Sequence, residues 1–237
     1  MNMMSKGSAY GFLSPLARER RGRTTERVEQ ALRDAIVTLA IAPGEFIDKA
    51  TVCARLGVSR FPVSEALGRL ADEGLVEILP QRGTRAARIR LPDVVEAMLI
   101  RRALEGLVTE TAAERLPEPA LDGLARNLAA QEATVANRDR SGFHALDLAF
   151  HEALVQGLGL ARIAAVIESA RASVDRVRRL LSSPRRNAVT LAEHRRILAA
   201  IAARDPAAAR QAMEAHLDAV MAELEQLSVE RPDIFTR

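Results

Sequence analysis

Three of the four histidines in this 237-residue chain fall on apolar helical stripes, and one of them has an aspartate four residues before it. His151 follows Asp147, so both side chains project from one helical face, continued by Phe143, Phe150 and Leu154. His194 lies between Leu191 and Leu198, and His216 between Met213 and Val220, each on a later helix. A single core histidine needs only a hydrogen bond. Three of them and a carboxylate, all turned inward, are costly to desolvate unless something takes their lone pairs. One divalent cation does that for the whole set. These are borderline donors that suit Zn, Ni, Mn, Fe or Co. Four protein donors either close a tetrahedron or leave two open places in an octahedron, and the open form lets a small carboxylate reach the metal. Arg101 lies on an inward stripe with Ala97, Met98, Leu104 and Val108. It can pair with a ligand carboxylate, or with Glu105 one turn further on.

Two other readings use the same donors. One is a hydrolytic enzyme in which the Asp/His centre activates water; the other is a metal that is purely structural. The enzyme reading lacks a base. Glu152 is next to His151 but points about 100° away around the helix, and no nucleophile motif is present.

The helices that must carry these residues occupy the back of the chain. After Leu91-Pro92 the period is helical throughout, broken at Pro117/Pro119, Ser141-Gly142, Gly157/Gly159, Ser182 to Pro184, and Asp205-Pro206. This predicts about six helices in an antiparallel bundle over residues 91–237. The front is organised differently. Val28, Leu32, Ala35, Ile36 and Leu39 form one helical face, ended by Pro43-Gly44. A short helix is expected over 49–56, broken by Gly57; Ser59 can cap a third helix reaching residue 73. Strands are expected over 75–79 and 85–89, joined by a Pro80-Gln81-Arg82-Gly83 turn. Residues 23–90 therefore read as a winged helix-turn-helix. Residues 1–22, with Arg18, Arg20 and Arg21, read as a flexible basic arm. The fold class is mainly α, with one small β-hairpin.

Such a head suits duplex DNA. Arg60, Phe61 and Ser64 share the outward face of the third helix with Glu65 and Gly68, and Arg69 stands beside them. Arg60 can reach guanine or phosphate, and Phe61 can press on a thymine methyl. Arg82, Gly83, Thr84 and Arg85 equip the wing for phosphate contacts. Charge agrees. Residues 1–91 hold 15 Lys/Arg against 10 Asp/Glu, whereas residues 92–237 hold 19 against 21. With only 3% aromatic residues, the chain lacks the stacking platforms of single-strand binders. The longest uncharged run, residues 7–17, is too short to span a bilayer, which implies no membrane partner. No secretory signal is visible, and Cys53 alone cannot form an internal disulfide; both fit a reducing cytoplasm.

The segments Ala42-Pro-Gly-Glu, Leu56-Gly-Val-Ser-Arg-Phe-Pro-Val-Ser-Glu-Ala-Leu, Glu73-Gly-Leu-Val-Glu and Arg82-Gly-Thr, in this order, resemble the DNA-binding domain of GntR-family transcription regulators. That family usually carries Arg where this chain has Ser64, a small residue where it has Phe61, and often Arg at Gly68. The departures imply an altered operator, richer in thymine contacts. Further on, Arg101-Arg-Ala-Leu-Glu, Asp147-Leu-Ala-Phe-His, Glu193-His-Arg-Arg-Ile and Met213-Glu-Ala-His-Leu resemble the FCD effector domain of FadR-like members, in its VanR-type branch. The resemblance implies that Asp147, His151, His194 and His216 bind the ion and that Arg101 faces the effector pocket. It implies a homodimer on a palindromic operator, more often a repressor, answering to a small organic acid.

Overall fold

The computed structural model describes residues 10–16 and 23–236, apart from the side chains of 172 and 173. The chain divides into two compact units, 1–89 with 233–236, and 90–232. The C-terminal strand thus belongs with the first unit rather than with the helical one. Arg18, Arg20 and Arg21 lie outside the described residues.

In the first unit α1 (Thr24–Val37), α2 (Lys49–Leu56) and α3 (Arg60–Asp72) precede an antiparallel hairpin, β1 (Val76–Leu79) and β2 (Gly83–Ala86). Val28, Leu32 and Ile36 of α1 join Val63, Ala66, Leu67 and Leu70 of α3 in one dry core. The Asp48 carboxylate caps α2 by accepting from the Ala50 N–H at 3.0 Å. Gly57, at φ 68°, ends α2 in the left-handed conformation that a side chain would strain. Ser59 occupies the N-cap of α3, yet its side chain makes no cap bond, unlike the expectation. Part of the predicted arm is also tied down. Tyr10 and Leu13 are buried, the Tyr10 hydroxyl donates to the Phe46 carbonyl at 3.2 Å, and the Leu16 N–H donates to the Leu56 carbonyl at 3.0 Å. A short β3 (Ile89–Arg90) pairs with β4 (Phe235–Thr236).

The second unit is helical: α4 (Leu91–Arg115), α5 (Glu118–Ala136), α6 (Arg140–Gly157), α7 (Ala161–Leu181), α8 (Pro184–Ala202) and α9 (Pro206–Glu230). These are the six expected. Side-chain caps start three of them: Asp139 accepts from Gly142, Ser183 from Arg186 and Asp205 from Ala208. The first of these corrects the sequence reading. Ser141-Gly142 is not a break but the first turn of α6, because Asp139 captures the orphan N–H of Gly142. Packing of α4 on α9, α7 and α8, and of α5 on α6 and α8, brings the inner faces of α4, α5, α6, α8 and α9 to one place.

Gly157 ends α6 where there is no room for a side chain. A Cβ there would stand 2.8 Å from Leu116 Cδ1 and 3.2 Å from Ala120 Cβ. Gly157→Val is expected to destabilise the protein by about 1–3 kcal/mol through overpacking, read as a lower midpoint in thermal unfolding.

Candidate metal centre and nucleic-acid interface

Asp147 and His151 sit one turn apart on α6, His194 on α8 and His216 on α9, and all four are buried. One donor atom from each lies within 4.8 Å of all the others. Asp147 Oδ1 is 3.5 Å from His194 Nε2 and 3.9 Å from His151 Nε2. The three Nε2 atoms and Asp147 Oδ1 have no hydrogen-bond partner and no access to water. Phe150 stacks on His194 with ring centroids 4.2 Å apart, which fixes that imidazole's plane.

The opposite nitrogen of each ring is engaged. His151 Nδ1 meets Glu105 Oε2 at 2.5 Å, His194 Nδ1 meets Gln131 Oε1 at 3.0 Å, and His216 Nδ1 meets Glu193 Oε2 at 2.7 Å. Every partner is an acceptor, so Nδ1 holds the hydrogen and, in a neutral ring, Nε2 keeps its lone pair. For His194 a relay decides the matter. The Leu146 carbonyl can only accept, so the Asn127 amide NH2 faces it at 3.0 Å. Asn127 Oδ1 then accepts from Gln131 Nε2 at 2.7 Å, which turns the Gln131 oxygen to His194. Imidazoles wired in this way are typical of metal ligands, whose second nitrogen is held by a carboxylate or carbonyl.

Burial, with His151, His216 and nearby arginines adding repulsion, pushes the His194 pKa well down; His216 is depressed in the same way. Burial pushes the Glu105 carboxyl up, but Arg101 and His151 outweigh it and hold the group ionised. Of the two sequence readings of Arg101, the structure shows the pairing with Glu105. Its Nε donates to Glu105 Oε1 at 2.6 Å, while both terminal nitrogens are buried without a partner.

A cavity of about 40 Å³ adjoins the donors, lined in part by His144, Asp147, Arg178, Arg186, Asn187 and His216. Arg178 on α7 donates to Asp147 Oδ2, and Arg186 grips both oxygens of Glu193 at 3.1 and 3.0 Å. A larger recess of about 350 Å³ is lined in part by His151, Val155, Ile167, Glu168 and Arg171, and Glu168 and Arg171 already pair with each other. Arg178, Arg186, Gln131 and Glu193 escaped the sequence reading. A signal existed for two of them. Gln131 continues the Leu124, Leu128 stripe, and Arg178 stands at helical spacing between Val174 and Leu181.

The residues read as DNA contacts divide. Arg60, Ser64, Arg82 and Gly83 are exposed, and Phe61 stands 75% exposed at the start of α3. Neither Arg60 nor Arg82 forms an ion pair among the described residues. Arg69 is exposed but engaged with Glu65 at 2.9 Å and Glu29 at 3.5 Å. Arg85 is half-buried, its guanidinium on Glu77 across the hairpin at 2.6 Å. Thr84 corrects the prediction: it is only 3% exposed. Alternation along β2 turns Thr84 and Ala86 inward, and residues 45–47 bond to the free edge of β2 through Ile47 N–H to the Thr84 carbonyl at 2.8 Å. Gly83, at φ 106°, makes the backbone turn that the three-residue hairpin loop needs.

The family profile for gntR bacterial regulatory proteins matches residues 24–85, and that for the FCD domain matches residues 96–219. The chain belongs to the GntR family of transcription regulators. This GntR regulator is 35% identical over 217 residues to an HTH-type transcriptional regulator in an unstable DNA locus of Streptomyces ambofaciens, covering 90% of this chain and 91% of that one. It is 34% identical to the HTH-type transcriptional repressor RspR of Escherichia coli K12, covering 89% and 93%. Among solved structures, a GntR transcriptional regulator from Rhodococcus sp. RHA1 superposes with a TM-score of 0.67 at 28% identity, covering 86% of this chain and 99% of that one. The protein is accordingly a DNA-binding transcription regulator, from a family of regulators and not of enzymes. No helix among the described residues is long and apolar enough to cross a membrane.

His144 lies beside the donors, and burial, helped by Arg178, Arg179 and Arg171, pushes its pKa down to about 3. Its unfolded value is about 6.5, so below that pH the unfolded chain takes up a proton that the fold refuses. The stability present above pH 6.5 is lost as pH falls, at about 1.4 kcal/mol per unit for this group. Between pH 7.5 and 5.5 the metal-free His144→Gln variant is expected to lose about 1.4 kcal/mol less than the parent, measured by denaturant unfolding at both values.

Proposed function

We propose that this regulator is a repressor that binds a palindromic operator as a homodimer, and that its helical unit senses a small carboxylate through a bound divalent cation. The observation that carries the sensing half is the set of four buried donor atoms, each with no hydrogen to accept, around one point. The residues fit a cation of the Zn, Ni, Mn, Fe or Co class, held by Asp147 Oδ1 and the Nε2 atoms of His151, His194 and His216. The cation supplies a positive pole for a carboxylate. The chain's own residues do the rest. Glu105, Gln131 and Glu193 keep the imidazoles in the right tautomer, Arg178 aims Asp147, and the adjoining cavity receives the acid. Arg101 adds unpaired donors close by. An effector changes operator binding only if it prefers one of two arrangements of the regulator.

In the DNA-binding unit, Arg60 and Arg82 contact phosphate or guanine, and Gly83 lets the wing backbone approach closely. Phe61 and Ser64 face the bases. RspR and the gluconate operon regulator of Bacillus subtilis are named repressors, which favours the same sign of control here.

Elemental analysis with native mass spectrometry tests the cation: about one divalent ion per chain is expected, and none in Asp147→Asn/His194→Ala. Gln131→Leu is expected to weaken cation affinity by about 10–100-fold. Chelation should abolish the effector's influence on operator binding while far-UV circular dichroism stays unchanged; unfolding on chelation would instead make the ion structural. Separately, Arg82→Ala is expected to weaken operator binding evenly across sequences and to reduce the slope of log affinity against log salt by about 0.9, checked by fluorescence anisotropy titration. Phe61→Ala is expected to relax base preference at thymine positions, read by selection from random duplexes.

A further inference from the structure

The chain has six phenylalanines, and their burial differs between the units. Phe143 and Phe150 of the helical unit are buried, as is Phe235. The three exposed ones, Phe12, Phe46 and Phe61, all belong to the winged unit. An exposed aromatic ring forgoes the free energy of burial until something covers it. Phe61 already has a place at the start of α3. Phe46 lies outside the helix-turn-helix, before α2, and is 51% exposed.

The backbone around Phe46 is held on both sides. The Ile47 N–H donates to the Thr84 carbonyl at 2.8 Å and the Ala86 N–H to the Glu45 carbonyl at 2.9 Å, so residues 45–47 run along the edge of β2. On the other side, the Tyr10 hydroxyl donates to the Phe46 carbonyl at 3.2 Å and accepts from the Asp48 N–H at 3.1 Å. Phe46 stands across from Arg85, so both side chains leave the outer face of this ribbon. The ring meets the wing at its turn. A Cβ on Gly83 would be 3.7 Å from Phe46 Cδ1 and 3.9 Å from Cε1. Covering this glycine occupies one side of the ring and leaves the other in water. Gly83 is itself exposed and follows the exposed Arg82, which forms no ion pair among the described residues. A duplex close enough to use the missing side chain of Gly83 therefore touches Phe46 as well.

We propose that Phe46 is a further DNA-contacting residue, whose ring packs on a deoxyribose of the operator backbone beside the phosphate taken by Arg82. The inference rests on the wing meeting the duplex, as proposed above. The two side chains divide the work: Arg82 offers charge to a phosphate, and the ring offers apolar surface to the carbon–hydrogen face of the sugar. Every nucleotide carries the same sugar, so this contact adds affinity without sequence preference. It releases no counterion, so it leaves the salt dependence of binding as it was.

The test titrates full-length protein into two labelled duplexes of equal length, one recovered by selection from random sequences and one unrelated to it. Phe46→Ala is expected to weaken binding to both by about tenfold, with the slope of log affinity against log salt unchanged. Arg82→Ala, by contrast, lowers that slope. A fluorine label on the ring, introduced as 4-fluorophenylalanine at position 46 of the otherwise parental protein, supplies a readout that does not depend on a truncated variant folding. Its ¹⁹F resonance should show an H₂O/D₂O isotope shift in the free protein and lose it on saturation with either duplex. Undiminished affinity of folded Phe46→Ala would overturn the proposal, and so would an isotope shift that persists in the complex. A loss of affinity confined to the selected duplex would mean base readout rather than sugar contact, and overturns it too. If Arg82→Ala changes neither affinity nor salt slope, the wing reading fails and this inference with it. If Arg82→Ala acts while the ring stays in water, the inference alone fails.

Discussion

Four lone pairs aimed at one buried point make a problem that neutral imidazoles and a carboxylate cannot solve among themselves. The Nδ1 atoms of His151, His194 and His216 each face an acceptor behind them, so a neutral ring has no second N–H to offer Asp147 or another ring. The cost of leaving such groups unsatisfied in a protein interior is large. The rest of the helical unit follows from holding them there. Phe150 stacks on one ring, Arg101 and Arg186 neutralise two of the supporting carboxylates, and the donors come from α6, α8 and α9, so that the assembled set depends on tertiary packing.

Much of this was legible in the sequence because helical period and ligand chemistry report on the same residues. Asp147 and His151 share a face by spacing alone, and the apolar neighbours of His194 and His216 turn each inward. What the period cannot supply is the partner across a gap. Gln131 reaches His194 over 63 positions of sequence, and Glu105 reaches His151 over 46. Arg178 looked like one cation on an arginine-rich helix, and only the packing of α7 puts it on Asp147. Glu193 is next to His194 yet serves His216, a pairing that depends on how α8 lies on α9.

The winged unit shows the same division. The three helices, the hairpin and Gly57 could be read from pattern and punctuation. The DNA-facing list could not be read from motif position alone, since a strand presents alternate residues to opposite sides. Thr84 lies within the motif but on the inner face of β2, and Arg85 faces outward only to find Glu77. Tyr10 was unreadable for another reason: no helical or strand period holds in its short segment, and its hydroxyl bonds at Phe46 and Asp48 arise from tertiary contact.

The amide relay behind His194 begins at the carbonyl of Leu146, the residue preceding Asp147, and passes through Asn127 and Gln131. One stretch of α6 therefore furnishes a ligand directly and dictates the protonation pattern of another ligand two helices later. Asn127 touches no donor atom, yet rotating its amide by half a turn would present NH2 to Gln131, turn that side chain over and move the His194 hydrogen onto the nitrogen meant for coordination. Which atom of a buried ring can bind is thus written in an amide two bonds upstream, and drift at such a remote position can silence the centre while every ligand stays in place.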